Sequence, residues 1–521
     1  MNIIHGDCLE ELKKLEDNSI DAVVCDPPYG LSNTKPAQVA DVLKAWVMGD
    51  TVSVPAKRGG FMNAAWDSFV PPPAVWEECM RVLKPGGHMA VFAGARTQDL
   101  MGLSIRLAGF EIRDTLGWIY GSGFPKSHDI GKAIDKQRDD KGDAQAVGKW
   151  LRKHREDKGI PQKEIAKHWP SKTGGLTGCV ANWEGGSNVP KLDQWEKLKE
   201  LLSLPDDMDA EVWRLNGRKG TPGEAWEKRE VTGVYEQPNG VNEWAGNYMG
   251  TKKAGTKERR DIPATSEAAQ WDGWGTSLKP AIEPIILARK PLVGTVANNV
   301  LAHGVGGLNI DACRVGMSDA DREAVKVPQP VQHNDGRAVY QMGTGEGRNG
   351  ATFEPAPAGR FPANVLLDEH AAKEMDKQSG VLESGRMKPT HTTASRDVFG
   401  QNAKGGYVTM ETYGDSGGAS RFFPVFKYQA KAPKKERPVI VREDGSKIQH
   451  PTVKPLKLME WLVTLITPEG GTVLDPFAGT GTMLQAALNK GFTPIGIEAD
   501  ADYIQLIHQR MEGGEQSTPS S

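Results

Sequence analysis

The sequence is poor in cysteine, in long apolar runs and in net charge. Five cysteines occur in 521 residues: Cys8, Cys25, Cys79, Cys179 and Cys313. None stands at C-x-x-C spacing, so no zinc or other metal site is expected. Their odd number and scatter fit a reducing compartment better than a disulfide framework. No apolar run approaches the roughly 18 residues that would suggest a membrane span. The N-terminus runs straight into a strand-like segment, without the basic and apolar stretches of a secretory leader. A cytoplasmic protein with no membrane contact is therefore expected. The net charge of -3 gives no overall basic field. Any nucleic-acid contact would have to come from a local basic face.

Glycine and proline are abundant, at 60 and 34 residues, which implies many turns and few long helices through the middle. The hydrophobic fraction of 38% and the charged fraction of 25% are ordinary for a soluble protein with loop-rich parts. At 521 residues the chain is too long for one compact core, so two or three domains are expected.

Residues 1–120 alternate between apolar strands and amphipathic helices. Ile3-Ile4 reads as a strand, Cys8 to Leu15 as a helix, and Ala22 to Cys25 as a buried strand. Pro73 to Leu83 reads as a helix stopped by Lys84-Pro85-Gly86-Gly87. A strand at His88 to Phe92, a helix stopping at Gly109 and a strand at Glu111 to Ile119 follow. This alternation argues a mostly parallel sheet with helices on both faces. Residues 150–169 form a basic, helical, amphipathic stretch, and Leu192 to Leu202 forms another helix. Ile282 to Ala288 is a strongly apolar strand. Near the C-terminus come a helix at 456–465, a strand at Thr472 to Leu474, a helix from Met483 to Asn489 and a strand at Thr493 to Ile497.

Two short motifs at opposite ends carry the chemistry. Asp475-Pro476-Phe477-Ala478-Gly479-Thr480-Gly481-Thr482 lies between a strand and a helix. Gly479 and Gly481 let the backbone pass close to a ligand, and ligands of open α/β sheets sit beyond the carboxyl ends of the strands. Glu498, ending the next strand, is placed to accept from ribose hydroxyls. The set fits a nucleotide-like cofactor.

Asp26-Pro27-Pro28-Tyr29 directly follows a buried strand. An aromatic amine is a poor nucleophile because its lone pair is delocalised into the ring. Two acceptors on its N–H groups localise that pair, and the Asp26 carboxylate and the Pro27 carbonyl supply them. Pro27 and Pro28 stiffen the turn and preorganise those acceptors. Tyr29 offers a face on which an extruded base stacks.

At these residues the chain resembles the β class of DNA amino-methyltransferases, in which the catalytic motif comes first and the cofactor motif last. Its middle segments look like those of phage and prophage methylases, whether from a restriction-modification pair or an orphan enzyme. The resemblance implies a Rossmann-like, class I S-adenosylmethionine-dependent methyltransferase fold with permuted motif order. It also implies S-adenosylmethionine as cofactor, S-adenosylhomocysteine as product, double-stranded DNA as substrate and a homodimer. The resemblance assigns Asp7, beside Cys8 in Gly6-Asp7-Cys8, to the cofactor adenine. In His450-Pro451-Thr452-Val453-Lys454-Pro455 it assigns Thr452 and Lys454 to the methionine carboxylate. Phe477 would line the pocket beside Ala478 and Thr482. D-P-P-Y is the family's usual form for adenine N6, and S-P-P-Y for cytosine N4. Cytosine N4 stays open as the alternative target.

Residues 150–202 resemble the helix-turn-helix of lambda-repressor-like regulators. Gln162 to Ala166 would open the second helix, and Val180 to Glu184 would lie on the recognition helix. The connector SKTGGLTG is longer than that motif's tight turn. A helical bundle packed on another part of the protein is the alternative reading. Candidate DNA contacts are Lys163, Thr177 and Asn182, together with Lys252, Lys253, Arg259 and Arg260 in one basic cluster and Lys431 and Lys434 in another. The expected organisation is catalytic residues 1–140, a helical module at 141–205 and a loop-rich insertion at 206–270. A sheet strand at 271–290, a target-recognition region at 291–445, a cofactor part at 446–513 and a disordered tail at 514–521 complete it. Bacterial, nucleoid-associated localisation is expected. The rival is a DNA-binding regulator that keeps the methyltransferase fold only as scaffold.

Overall fold

The structure is a computed structural model. It describes residues 2–32, 34–55, 67–121, 127–138, 140–170, 176–218, 222–236, 257–317, 327–328, 352–353, 359–383, 416–426, 437–442, 444–450 and 452–515. The chain divides into two compact units, Met1–Phe124 with Pro280–Ser521, and Pro125–Lys279.

The first unit is built on a nine-stranded sheet. Its strands are β1 Asn2–His5, β2 Ile20–Cys25, β3 Leu83–Phe92, β4 Glu111–Ile119, β5 Ile282–Arg289, β6 Val365–Asp368, β7 Val425–Phe426, β8 Thr472–Asp475 and β9 Thr493–Glu498. Their order is β1-β9-β8-β2-β3-β5-β4-β6-β7. All neighbours are parallel except that β5 runs antiparallel to both β3 and β4. The expected mostly parallel α/β sheet is present.

Strand periodicity places one core on each face. Ala22, Val24, Ala90 and Phe92 pack with helices Leu456–Ile466 and Thr482–Asn489. The alternate residues Val23, Cys25, Met89 and Val91 pack with helices Pro73–Val82 and Gln98–Leu107. Successive side chains of a strand point to opposite faces, so strands this apolar need cover on both.

Several expectations change. Lys84 to Gly87 does not leave the sheet but lies within β3, where the register shifts between the Ile20–Leu83 and Ala22–His88 pairs. Gly86 lies in this irregular stretch at φ +78, a backbone conformation that favours glycine. The basic stretch at 150–169 holds the end of helix Lys141–Asp157 and then helix Gln162–Ala166, at the residues expected to open a second helix. Gly159 at φ +63 and Pro161 end the first and start the second. At the C-terminus, helix Ala501–Glu515 carries regular structure into the segment expected to be disordered. Residues 516–521 lie outside the described residues.

In the second unit, helices Lys141–Asp157, Gln162–Ala166, Cys179–Glu184, Leu192–Leu202 and Asp209–Gly217 enclose a core with Leu151, Trp183, Trp195, Leu198 and Leu215. Gly148 is required there, because a Cβ would meet the Trp183 carbonyl oxygen at 2.4 Å. Within the region expected to be a loop-rich insertion, strands Glu230–Glu236 and Lys257–Ile262 pair as an antiparallel hairpin. Arg229, buried, bridges Asp135 and Asp261 and ties this hairpin down. No helix among the described residues is long and apolar enough to cross a membrane.

Candidate active site

Strand β8 pairs with β2 through Val473–Ala22 and Leu474–Val23. The two chemical motifs therefore leave adjacent parallel strands at the same edge of the sheet, though they stand at opposite ends of the sequence. Sequence alone placed each at a strand end, and the register places them side by side.

The Asp26 turn is held from outside the motif. Asp67, buried, accepts from the Gly30 N–H at 2.9 Å and the Leu31 N–H at 3.2 Å. The Thr97 hydroxyl donates to the Tyr29 carbonyl oxygen at 2.6 Å. Gly30 has φ +67, and a Cβ there would lie 2.7 Å from the Val70 nitrogen, so only glycine fits. Neither Asp67 nor Thr97 was expected, since nothing in local periodicity marks a residue that braces a distant turn.

At the turn stands a polar cluster. The Tyr29 hydroxyl lies 2.8 Å from Asp26 Oδ1 and 3.3 Å from Glu283 Oε2. The Lys454 ammonium lies 2.9 Å from Asp26 Oδ2, 3.1 Å from Glu283 Oε2 and 3.0 Å from the Tyr29 hydroxyl. It also lies 4.8 Å from the Phe92 ring centre. Burial alone would lower the Lys454 ammonium, but the Asp26 and Glu283 charges outweigh it and raise it above the ordinary lysine range. Burial, then Asp26 and Glu283, raises the Tyr29 phenol. Lys454 was expected at the methionine carboxylate, and here its three donors meet Asp26, Glu283 and Tyr29. Thr452 is exposed, and its backbone pairs with the His450 ring.

Around the glycine loop, Asp475 is buried and accepts from the Phe477 N–H at 3.0 Å. Burial pushes its carboxyl well above the usual range, with Asp26 and Glu498 adding to the effect. Ala478 donates its N–H to the Ile497 carbonyl oxygen at 2.9 Å, and the Phe477 ring lies 6.1 Å from Trp76. Gly479 and Gly481 adopt φ +53 and +72, and Thr482 opens the following helix. Glu498 accepts from the Gly479 N–H at 2.7 Å and the Asp500 N–H at 2.9 Å, and burial raises its carboxyl. Asp7 caps helix Cys8–Leu12 by accepting from the Leu9 and Glu10 N–H groups. Burial and the neighbouring Asp7 push the Cys8 thiol up to about 12.

Of the candidate DNA contacts, those within the described residues belong to the second unit. Lys163 and Asn182 are exposed on their helices. The Thr177 hydroxyl donates to the Trp169 carbonyl oxygen at 2.8 Å, so it is engaged within its own unit. Arg259 and Arg260 lie on a hairpin strand. Lys252, Lys253, Lys431 and Lys434 lie outside the described residues.

A DNA methylase family model, N6_N4_Mtase, matches residues 423–509, a span that holds Lys454, Asp475 and Glu498. The type II methyltransferase M2.DpnII of Streptococcus pneumoniae is 41% identical over 64 residues, covering 12% of this chain and 24% of that protein. The DNA adenine methyltransferase YhdJ of Escherichia coli (strain K12) is 30% identical over 120 residues, covering 23% of this chain and 33% of that one. The matched stretches thus span about a quarter to a third of these relatives. The crystal structure of the M1.HpyAVI–SAM complex aligns with a TM-score of 0.31 and 11% identity, covering 98% of each chain. The strand order, parallel but for one antiparallel strand, defines a mixed α/β sheet with a parallel core, and the likeness to DNA methylases lies in its C-terminal part, where the glycine-rich loop stands.

Proposed function

We propose that this chain transfers a methyl group from S-adenosylmethionine to the exocyclic N6 of an adenine extruded from duplex DNA. The observation that carries the reading is the β2–β8 pairing, which sets Asp26-Pro27-Pro28-Tyr29 beside the Asp475–Thr482 loop.

The residues fit the cofactor. Gly479 and Gly481 hold positive φ at +53 and +72, so backbone without side chains turns past the Glu498 carboxylate, which accepts from the Gly479 N–H. Glu498 ends the neighbouring strand at the same edge and would hold the ribose hydroxyls. Asp7 would hold the adenine, and Thr452 the methionine end. When bound, S-adenosylmethionine supplies an electrophilic methyl on a positively charged sulfur. Asp26 and the Pro27 carbonyl accept the two N–H bonds of the target amine and localise its lone pair. Tyr29 presents its ring to the base, and its brace at Thr97 keeps that face in place. Asp26 favours adenine, and cytosine N4 is the runner-up.

In the second unit, the exposed Lys163 and Asn182 support a DNA-reading role for the helices Gln162–Ala166 and Cys179–Glu184. Pairing of two chains on a palindromic site would suit such a reader.

The test is methyl transfer from labelled S-adenosylmethionine to unmethylated genomic DNA, followed by nucleoside analysis. N6-methyldeoxyadenosine is expected. N4-methyldeoxycytidine would keep the mechanism and overturn the choice of base. No modified base would overturn the transferase reading.

A further inference from the structure

We infer that Glu283 is a positioning residue for methyl transfer: it offsets the Lys454 charge, so that Asp26 stays a strong acceptor for the target amine. The inference rests on the transferase reading above. Asp26 alone with Lys454 would be a closed ion pair, since the two atoms are 2.9 Å apart and Lys454 is only 8% exposed. A carboxylate so neutralised is a weaker acceptor. Glu283 changes that balance. Its Oε2 lies 3.1 Å from the same ammonium and 3.3 Å from the Tyr29 hydroxyl that also meets Asp26. Two carboxylates then share one cation, and the cluster of these three groups keeps one net negative charge. That charge faces an amine on which positive charge builds as the new N–C bond forms, where a fixed opposite charge is most effective.

The fold explains how a glutamate comes to be there. β5 is the sheet's antiparallel strand, so its first residues lie at the edge where its parallel neighbours β3 and β4 end. Glu283 is the second residue of β5 and pairs with Trp118, near the end of β4. Pro284 follows, and its carbonyl accepts from the Ala93 N–H at 2.9 Å, just past the end of β3. Pro284 to Ala288 are apolar and buried, and Glu283 is the one carboxylate of the strand. The ammonium's three N–H donors meet three acceptors, so the arrangement is geometrically saturated.

The experiment compares the unsubstituted full chain with Glu283→Gln, Glu283→Asp, Lys454→Met and the Lys454→Met/Glu283→Gln double variant. The readouts are the single-turnover rate of labelled methyl transfer to genomic DNA and S-adenosylmethionine affinity by calorimetry. Glu283→Gln should slow transfer about tenfold or more, with the cofactor Kd within about threefold. Glu283→Asp should recover part of the rate. In the Lys454→Met background, Glu283→Gln should cost less than it does alone, because the cation it offsets is gone. A Glu283→Gln rate within about twofold of the unsubstituted chain would overturn the inference. So would full additivity in the double variant, which marks a merely structural role. Absence of transfer by the unsubstituted chain would overturn the transferase reading itself.

Discussion

The Lys454 ammonium lies 2.9 Å from Asp26 Oδ2, joining the C-terminal H-P-T-V-K-P segment to the N-terminal D-P-P-Y turn. Removing the ammonium leaves Asp26 and Glu283 as two carboxylates at one site without their counter-charge. Lys454→Met should therefore lower the unfolding free energy by about 3 kcal/mol, the scale of breaking a buried ion pair from one side. Denaturant unfolding measures it, and an unchanged unfolding free energy would show that the pair does not hold the two segments together.

Asp26→Ala removes one of the two acceptors for the target amine. Transfer should fall by about a hundredfold or more, the scale of losing one preorganised polar group at a reacting centre. Lys454 keeps Glu283 as a counter-charge, so folding and DNA binding should persist. Gel-shift and melting measurements beside the rate assay check this. Unchanged transfer would sink the catalytic assignment of Asp26.

Asp67→Ala leaves the Gly30 and Leu31 N–H groups without their acceptor. The expected loss is roughly 1–3 kcal/mol in unfolding free energy, the cost of orphaning buried donors. Because those donors belong to the turn that carries Tyr29, the transfer rate should fall as well. Denaturant unfolding and single-turnover kinetics measure the two effects.

Gly479→Ala and Gly30→Ala separate ligand space from fold strain. Both positions have positive φ, which costs an alanine about 1–2 kcal/mol. At Gly479 the added Cβ meets nothing nearer than 3.7 Å, so the main loss should be cofactor affinity. At Gly30 the Cβ would sit 2.7 Å from backbone, and the fold itself should suffer. Calorimetric cofactor titration and thermal melting should sort the two variants in opposite directions.

His88 should make the first unit acid-sensitive. It is buried on β3, and its Nδ1 has no hydrogen-bond partner among the described residues. Burial, aided by the Arg289 and Arg113 charges, pushes its imidazole down to about 4 from 6.5. The unfolded chain binds the proton first, so stability is complete above about pH 6.5 and is lost as pH falls toward 4. The full effect is roughly 3 kcal/mol at most. His88→Met should flatten the unfolding free energy between these pH values.

Much of the nine-stranded sheet was legible in local sequence. Ala22 to Cys25, His88 to Phe92 and Ile282 to Ala288 are apolar over strand lengths, and burial on both faces of a sheet demands that composition. The Asp26 and Asp475 motifs were legible for a related reason. Each is a short turn whose chemistry sits in consecutive residues, with glycine or proline fixing its backbone. The strands Glu230–Glu236 and Lys257–Ile262 were not legible, because their place depends on Arg229 reaching Asp135 and Asp261 across the sequence.

The sequence by itself determined the α/β class, the strand ends that carry the motifs and the residue types available there. Only the tertiary structure decided that β2 and β8 are neighbours, that Asp67 and Thr97 brace the Asp26 turn, and that Lys454 and Glu283 meet at Asp26. Strand and turn preferences act over a few residues and are written in adjacent letters. Sheet order, strand direction and the pairing of distant charges are settled by which apolar faces bury one another. For that reason a glutamate within an apolar strand gave no sign of its place until the antiparallel run of β5 set it at the edge of the site.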